Sequence, residues 1–163
     1  MLKVELSGPE VTALLGIAHG LSVEEISAQT SMRVKTVRDR LLPSAKDRLG
    51  HRDMSDAAAV ERAYLAGALP APPPEAPRCQ VAVRLSPGQV SLIRLLSQGM
   101  TAGAISGRTT KSLPAVERDI RALCEVTGAA TDAHLITRAR QLGIPYRRRT
   151  SRPVHPSRRP VAL

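Results

Sequence analysis

Residues 6–11, Leu-Ser-Gly-Pro-Glu-Val, return as Leu-Ser-Pro-Gly-Gln-Val at residues 85–90, 79 positions further along the chain. An internal repeat fixes the architecture of a chain before any single motif does, because each copy must fold in the same way. We therefore expect two copies of one unit of about 60 residues. The same spacing of 79 pairs Leu14 with Ile93, Gly20 with Gly99, Ile26 with Ile105, Val37 with Val116 and Leu41 with Ile120.

The spacing between the copies shortens further along each copy. It is 78 between Gly50 and Gly128, and 76 between Asp56 and Asp132. These shifts place small insertions between helices or within one long helix.

Helix signals dominate both copies. A Ser followed three residues later by Glu or Gln is a capping box, which marks a helix start. Apolar residues follow at helical spacing, and the fourth helix of each copy is predicted at 56–67 and 132–143. Four short helices per copy make the predicted fold all-α. The capping boxes are Ser7 with Glu10, Ser22 with Glu25, and Ser86 with Gln89.

The composition excludes several classes of function. Two Tyr, no Phe and no Trp among 163 residues argue against proteins that stack bases on aromatic rings. Cys79, Cys124 and the four His lack metal-ligand spacing, so we expect no metal and no cofactor. No Ser, His and Asp stand in a nucleophilic arrangement, so we expect no enzyme. Without a long apolar run, the chain is predicted to be cytoplasmic, with no membrane contact.

Prolines and arginines divide the chain. Five of the ten residues from Leu69 to Arg78 are Pro, and residues 133–163 hold eight Arg and no acid, within a total charge of +10. The predicted units are a helical domain at 1–69, a Pro-rich linker at 70–84, a second domain at 85–145 and a disordered basic tail at 146–163. The tail is either a solvating terminus or an arm for nucleic-acid phosphates, with Arg147, Arg148 and Arg149 as its first contacts.

Four stretches carry a family resemblance: Leu6-Ser-Gly-Pro-Glu10, Gly20-Leu-Ser-Val-Glu-Glu-Ile26, Lys35-Thr-Val-Arg38 and Arg48-Leu-Gly-His-Arg-Asp53. In this order they resemble the DNA-binding domain of LuxR-type transcriptional regulators. The second copy resembles the same family more weakly. The resemblance implies two helix-turn-helix domains in tandem, each with its third helix in the major groove and its fourth helix in dimerisation.

Charge in the first copy agrees with that resemblance, since residues 32–52 hold seven basic and two acidic residues. In the second copy Glu117 stands at the family's basic position, so its third helix is either an altered reader or a packing and partner surface. The stretch Leu42-Pro43-Ser44 contains one residue more than the typical spacing of the family, and Pro43 is expected to kink or end the third helix. The family match assigns Lys35, Thr36 and Arg38 to the groove, Arg40, Lys46, Arg48 and Arg52 to phosphates, and Lys111, Arg118 and Arg121 to DNA in the second copy.

The function predicted from these features is a sequence-specific, duplex-DNA-binding transcriptional regulator of bacterial type. Binding to duplex DNA predicts that it is associated with the nucleoid. Helices 56–67 and 132–143 are expected to pack as an intramolecular pseudo-dimer, or between chains in a homodimer. The alternative is an adaptor that contacts RNA polymerase or another regulator, with non-specific DNA affinity from its tail alone.

Overall fold

Helices account for all the regular structure in the part of the chain that the structure describes, which confirms the all-α class. A computed structural model describes residues 4–74 and 83–147. The first copy contains α1 (Gly8–Ala18), α2 (Val23–Thr30), α3 (Val34–Thr36), a π-helical segment (Val37–Leu41), α4 (Leu42–Leu49) and α5 (Asp56–Leu65). The second copy contains α6 (Pro87–Ser97), α7 (Ala102–Arg108), α8 (Leu113–Thr127) and α9 (Asp132–Gln141).

Capping boxes start α2 and α6 at the predicted residues. The Ser22 N–H donates to Glu25 Oε2 at 2.7 Å, and the Glu25 N–H donates to Ser22 Oγ at 3.2 Å. Ser86 and Gln89 make the same two bonds at 2.8 and 3.2 Å. Each box satisfies backbone groups that a helix end leaves unpaired. Among the described helices, none combines the length and the apolar character that a bilayer span requires.

The third helix does not end at Pro43, so that part of the expectation is wrong. The chain stays helical from Val34 to Leu49 because the π-helical segment widens one turn. In this segment the Leu42 N–H donates to the Val37 carbonyl, five residues back in the chain. A hydrogen bond over five residues is the bond that defines a π-helical turn. One widened turn accommodates one additional residue, as the change in spacing from 79 to 78 requires. Pro43 is then the second residue of α4, directly after the widened turn.

The two copies pack on each other reciprocally. Helix α5 lies against α9, while α1 contacts α9 and α6 contacts α5. The turn after each first helix also approaches the other copy. A Cβ on Gly20 would lie 2.7 Å from His134 Nδ1, and a Cβ on Gly99 would lie 3.3 Å from Ala58 Cβ. His134 and Ala58 are equivalent at the spacing of 76, so these contacts fit an approximate two-fold relation between the copies.

The folded second copy extends past its predicted end at residue 145. Tyr146, predicted to begin the tail, is only 2% exposed. Its hydroxyl donates to Glu61 Oε2 at 2.7 Å, and its carbonyl accepts from Arg94 Nε at 2.7 Å. A tyrosine gains from burial when its hydroxyl finds a partner. The remaining tail prediction, from residue 148, and linker residues 75–82 lie outside the described residues.

Deletion of Pro43 tests the origin of the π-helical segment. The deletion gives the third helix the length of α8, so we expect a continuous α-helix in which i→i−4 bonds replace the bond from Leu42 to Val37. Backbone chemical shifts and amide hydrogen-bond couplings measured by NMR would detect the change. Val37, Ala45 and Leu49 remain on one face, so the free energy of unfolding should change by less than about 1.5 kcal/mol.

Deletion of Asp47 is the matched control. It removes one exposed residue after the π-helical segment and turns Leu49 away from the core, so we expect a loss of about 2 kcal/mol or more in the free energy of unfolding. Equal losses in the two deletions would contradict this account of the widened turn.

Candidate nucleic-acid interface

The segment Val34–Leu49 has a buried side and a charged side. Val37 and Ala45 are fully buried, whereas Lys35 and Arg40 are exposed. Both α3 and the π-helical segment contact α2, which holds this segment on the body of the first copy. Thr36 is half-buried between the two sides. The basic side chains are therefore presented on a helix whose position is fixed by its apolar side.

Arg38 is exposed and paired with α2. Its Nη2 atom lies 2.7 Å from Glu24 Oε1, and the two side chains are 59% and 63% exposed. An ion pair this open to water contributes about 0–1 kcal/mol. The guanidinium group can therefore exchange Glu24 for a base edge or a phosphate at little cost.

Lys46 and Arg48, predicted as phosphate contacts, have partners within the protein. Lys46 Nζ lies 2.8 Å from Asp56 Oδ1 at the start of α5. The Arg48 Nη1 atom donates to the Glu5 carbonyl at 3.0 Å, and its Nε lies 3.4 Å from a carboxylate oxygen of Glu10. These contacts hold α4 to the segments on either side of it.

Glu10 does more than cap α1. It is 3% exposed, and its carboxylate accepts from the Ser7 N–H at 2.7 Å and from the Ser44 hydroxyl. Burial by itself raises the pKa of Glu10, but the bonds from Ser44 and Ser7 and the charge of Arg48 together outweigh it, and the pKa is lowered. Glu10 thus connects α1 to α4 as an ionised group.

The other predicted contacts within the described residues belong to several elements. Arg52 is exposed after α4. In the second copy Lys111 pairs with Asp119, while Arg118 and Arg121 are exposed on α8. Arg147 Nε lies 3.5 Å from a carboxylate oxygen of Glu61. Arg148 and Arg149 lie outside the described residues.

A buried polar network between α5 and α9 was not predicted. Glu61 is 5% exposed and accepts from Arg140 through Nε at 3.2 Å and Nη2 at 2.8 Å. The Tyr64 hydroxyl lies 3.0 Å from Thr137 Oγ1. The Arg140 guanidinium also lies 4.9 Å from the centre of the Tyr64 ring. At the spacing of 76, Thr137 is equivalent to Glu61 and Arg140 to Tyr64, so the two hydrogen-bonded pairs are equivalent contacts.

The signal for this network was present in the sequence. Glu61 and Tyr64 are three residues apart on a predicted helix that is otherwise rich in alanine. Residues at this spacing share a helix face. A charged residue on the face expected to pack against another helix needs a buried partner. Its partner could not be named, because Arg140 lies 79 residues away in the chain.

No protein-family model, no curated protein and no solved structure matches this chain.

The substitution Glu10→Gln should change how stability depends on pH. The folded pKa of Glu10 lies below its ordinary value of 4.5, so its contribution to stability is present above that pH and is lost as the pH falls through the folded pKa. We expect the wild-type protein to be more stable than the variant at pH 7, and the difference to shrink below about pH 4.5. Urea unfolding across this pH range measures it. A difference that is constant with pH would refute this role for the carboxylate.

The substitution Glu61→Ala should destabilise the protein by about 2–4 kcal/mol, because it leaves the partly buried Arg140 without its anion. Chemical denaturation measures the loss. The control is Glu24→Ala, which breaks the exposed pair with Arg38 and should cost at most about 1 kcal/mol. Similar losses in the two variants would show that the α5–α9 contact does not depend on this pair.

Proposed function

We propose that this protein is a sequence-specific regulator that binds duplex DNA through the segment Val34–Leu49 of the first copy. One observation carries the proposal: this segment buries Val37 and exposes Lys35, Arg38 and Arg40 on a single short stretch of helix. A helix held by its apolar side and basic on its outer side is suited to the major groove. The resemblance to LuxR-type helix-turn-helix domains supports the same assignment.

Different roles follow for the exposed cations. Lys35, Thr36 and Arg38 are proposed to contact base edges, where a well-formed bidentate contact discriminates by about 1–3 kcal/mol. Arg40 and Arg52 are proposed to contact phosphates and so to add affinity without sequence preference. Lys46 and Arg48 are proposed as secondary contacts, because they would have to be shared with Asp56 and Glu10.

The pairing of the copies supports a pseudo-dimer on DNA. Helix-turn-helix dimers bind two half-sites about 10 base pairs apart through equivalent helices. In this chain α5 and α9 bring the two units together within one molecule. Because the segment Val34–Leu49 and α8 carry different charges, the proposed operator is asymmetric, with its better-defined half bound by the first copy.

The test is selection from random duplex DNA at about 150 mM salt, where screening suppresses weak phosphate attraction. Full-length protein should enrich one motif. The double variant Lys35→Gln/Arg38→Gln should lose the motif and bind it roughly 100-fold more weakly, because two base contacts are removed. Glutamine is used rather than glutamate because it removes the positive charge without placing a second carboxylate beside Glu24.

Matched controls separate the recognition of base sequence from non-specific electrostatic attraction to phosphates. The double variant Lys111→Gln/Arg118→Gln removes the same charge from the second copy and should keep the motif of the first half-site. A truncation to residues 1–147, which retains the buried Tyr146, should keep the motif with a shallower salt dependence. Unchanged binding by Lys35→Gln/Arg38→Gln would overturn the proposal.

A second candidate function, an adaptor for RNA polymerase or another regulator, is favoured by α8. This helix exposes Glu117 and Glu125 together with the apolar side chains of Leu113 and Val126, which are 42% and 52% exposed. Acidic and apolar groups on one helix suit a protein partner better than phosphates. Under this alternative, DNA selection yields no motif, and Glu117→Lys abolishes binding to purified RNA polymerase while Lys35→Gln/Arg38→Gln does not.

A further inference from the structure

The equivalent first helices of the two copies differ at the position where the second helix packs. In the first copy this position is Gly16, and a Cβ built there would lie 2.5 Å from Ile26 Cγ1. Real Cβ atoms do not approach so closely, so α2 can pack on α1 at this distance only over glycine. In the second copy the same position is Leu95, opposite Ile105. A leucine side chain needs room that Gly16 does not, and α7 packs less closely on α6 than α2 packs on α1.

A polar contact that closes the first copy is also missing from the second. Glu10 holds α4 against α1 through Ser44 and Arg48. Once the spacing has shortened to 78, Ala122 stands where the first copy has Ser44 and Val126 where it has Arg48. Gln89 replaces Glu10 and accepts the Ser86 N–H. Neither Ala122 nor Val126 can donate a side-chain hydrogen bond to Gln89, so this tie between α6 and α8 is lost.

A groove of about 610 Å³ lies between α6, α7 and α8, and Gln89, Leu95 and Ala122, where the copies differ, are among its lining residues. Its floor consists of Leu92, Leu95, Ile105 and Val116, and its rim is polar. Sites for small molecules typically measure about 300–1,000 Å³ and combine an apolar lining with a few polar groups. The groove therefore has the size and the lining of a small-molecule site.

The rim of the groove carries no net charge. Lys111 and Asp119 are its charged residues, and they pair with each other. A charged ligand would have to break this pair or lie beside it uncompensated. The rim also offers Ser91 and the side-chain amide of Gln89 for hydrogen bonds. On a chain with a charge of +10, this balance favours an uncharged occupant.

We propose that the groove between α6, α7 and α8 is a binding site for a neutral, largely apolar small molecule. Such a molecule would fill the space between the helices beside Leu95 and would contact all three of them. It would thereby fix α7 and α8 relative to α6. The proposal does not depend on DNA binding and is tested without DNA.

The probe is N-phenyl-1-naphthylamine, a neutral apolar fluorophore, titrated into the full-length protein. We expect saturable binding of one molecule per chain, with amide chemical-shift changes in NMR spectra concentrated at Leu92, Ile105 and Val116. Ala122→Phe fills the groove from α8 and should weaken binding about tenfold or more. Ser91→Phe fills it from α6 and should do the same, so a folding defect in one variant does not decide the result.

The control is Ala104→Phe, which adds the same ring to an exposed residue of α7 outside the lining and should bind the probe as the wild type does. Binding that does not saturate, or that both groove variants leave unchanged, would overturn the proposal. Shift changes confined to Ile17 and Leu96, which line a separate cleft between the copies, would also overturn it. So would self-association on ultracentrifugation that Ala122→Phe abolishes, because the occupant would then be a second copy of the chain.

Discussion

The hydrogen-bonded ion pair between Glu61 and Arg140 is the contact on which the arrangement of the two copies depends. Glu61 of the first copy contacts Arg140, the residue of the second copy that is equivalent to Tyr64. In the reciprocal contact, Thr137, the equivalent of Glu61, meets Tyr64. A pairing of two first copies would bury two Glu61 carboxylates without a cation. A pairing of two second copies would place two partly buried Arg140 guanidinium groups together without an anion. Burying unpaired charge is costly. The unlike copies therefore select each other, and Tyr146 completes the site by donating to Glu61.

Because this contact joins α5 to α9, the rest of each copy is free to diverge. The first copy keeps Gly16 under Ile26 and keeps Glu10 bonded to Ser44, so its helices are closed around Val37. That closure holds the basic segment rigidly, which base-edge recognition requires, since contacts to bases depend on fixed geometry. The proposed DNA site thus rests on interactions that are remote from its exposed cations.

The sequence predicted the features that depend on local patterns and missed those that depend on distant partners. Capping boxes and helical spacing placed α2, α5, α6 and α9 because both signals act within one helix. Tyr146 was assigned to the tail because an arginine run follows it, and its partner Glu61 lies 85 residues away. The assignment of Lys35 and Arg38 to the groove came from the family match, whereas the pairing of Lys46 with Asp56 depends on how α4 meets α5. The additional residue is visible in the sequence, but a proline at this position predicts a kink or an end of the helix, whereas a π turn accommodates the residue without ending the helix.

The second copy keeps its fold despite the open groove because it is packed against the first copy. Its core includes Leu123, Leu135 and Ile136, all fully buried, and α9 is held from the other side by α5. Helix α6 is anchored by α5 as well, so separation of α7 from α6 leaves the packing between the copies intact. A free-standing unit with Leu95 at this position would lose part of its only core. Joined to the first copy, the unit keeps its fold while the surface formed by α6, α7 and α8 acquires a new shape and charge.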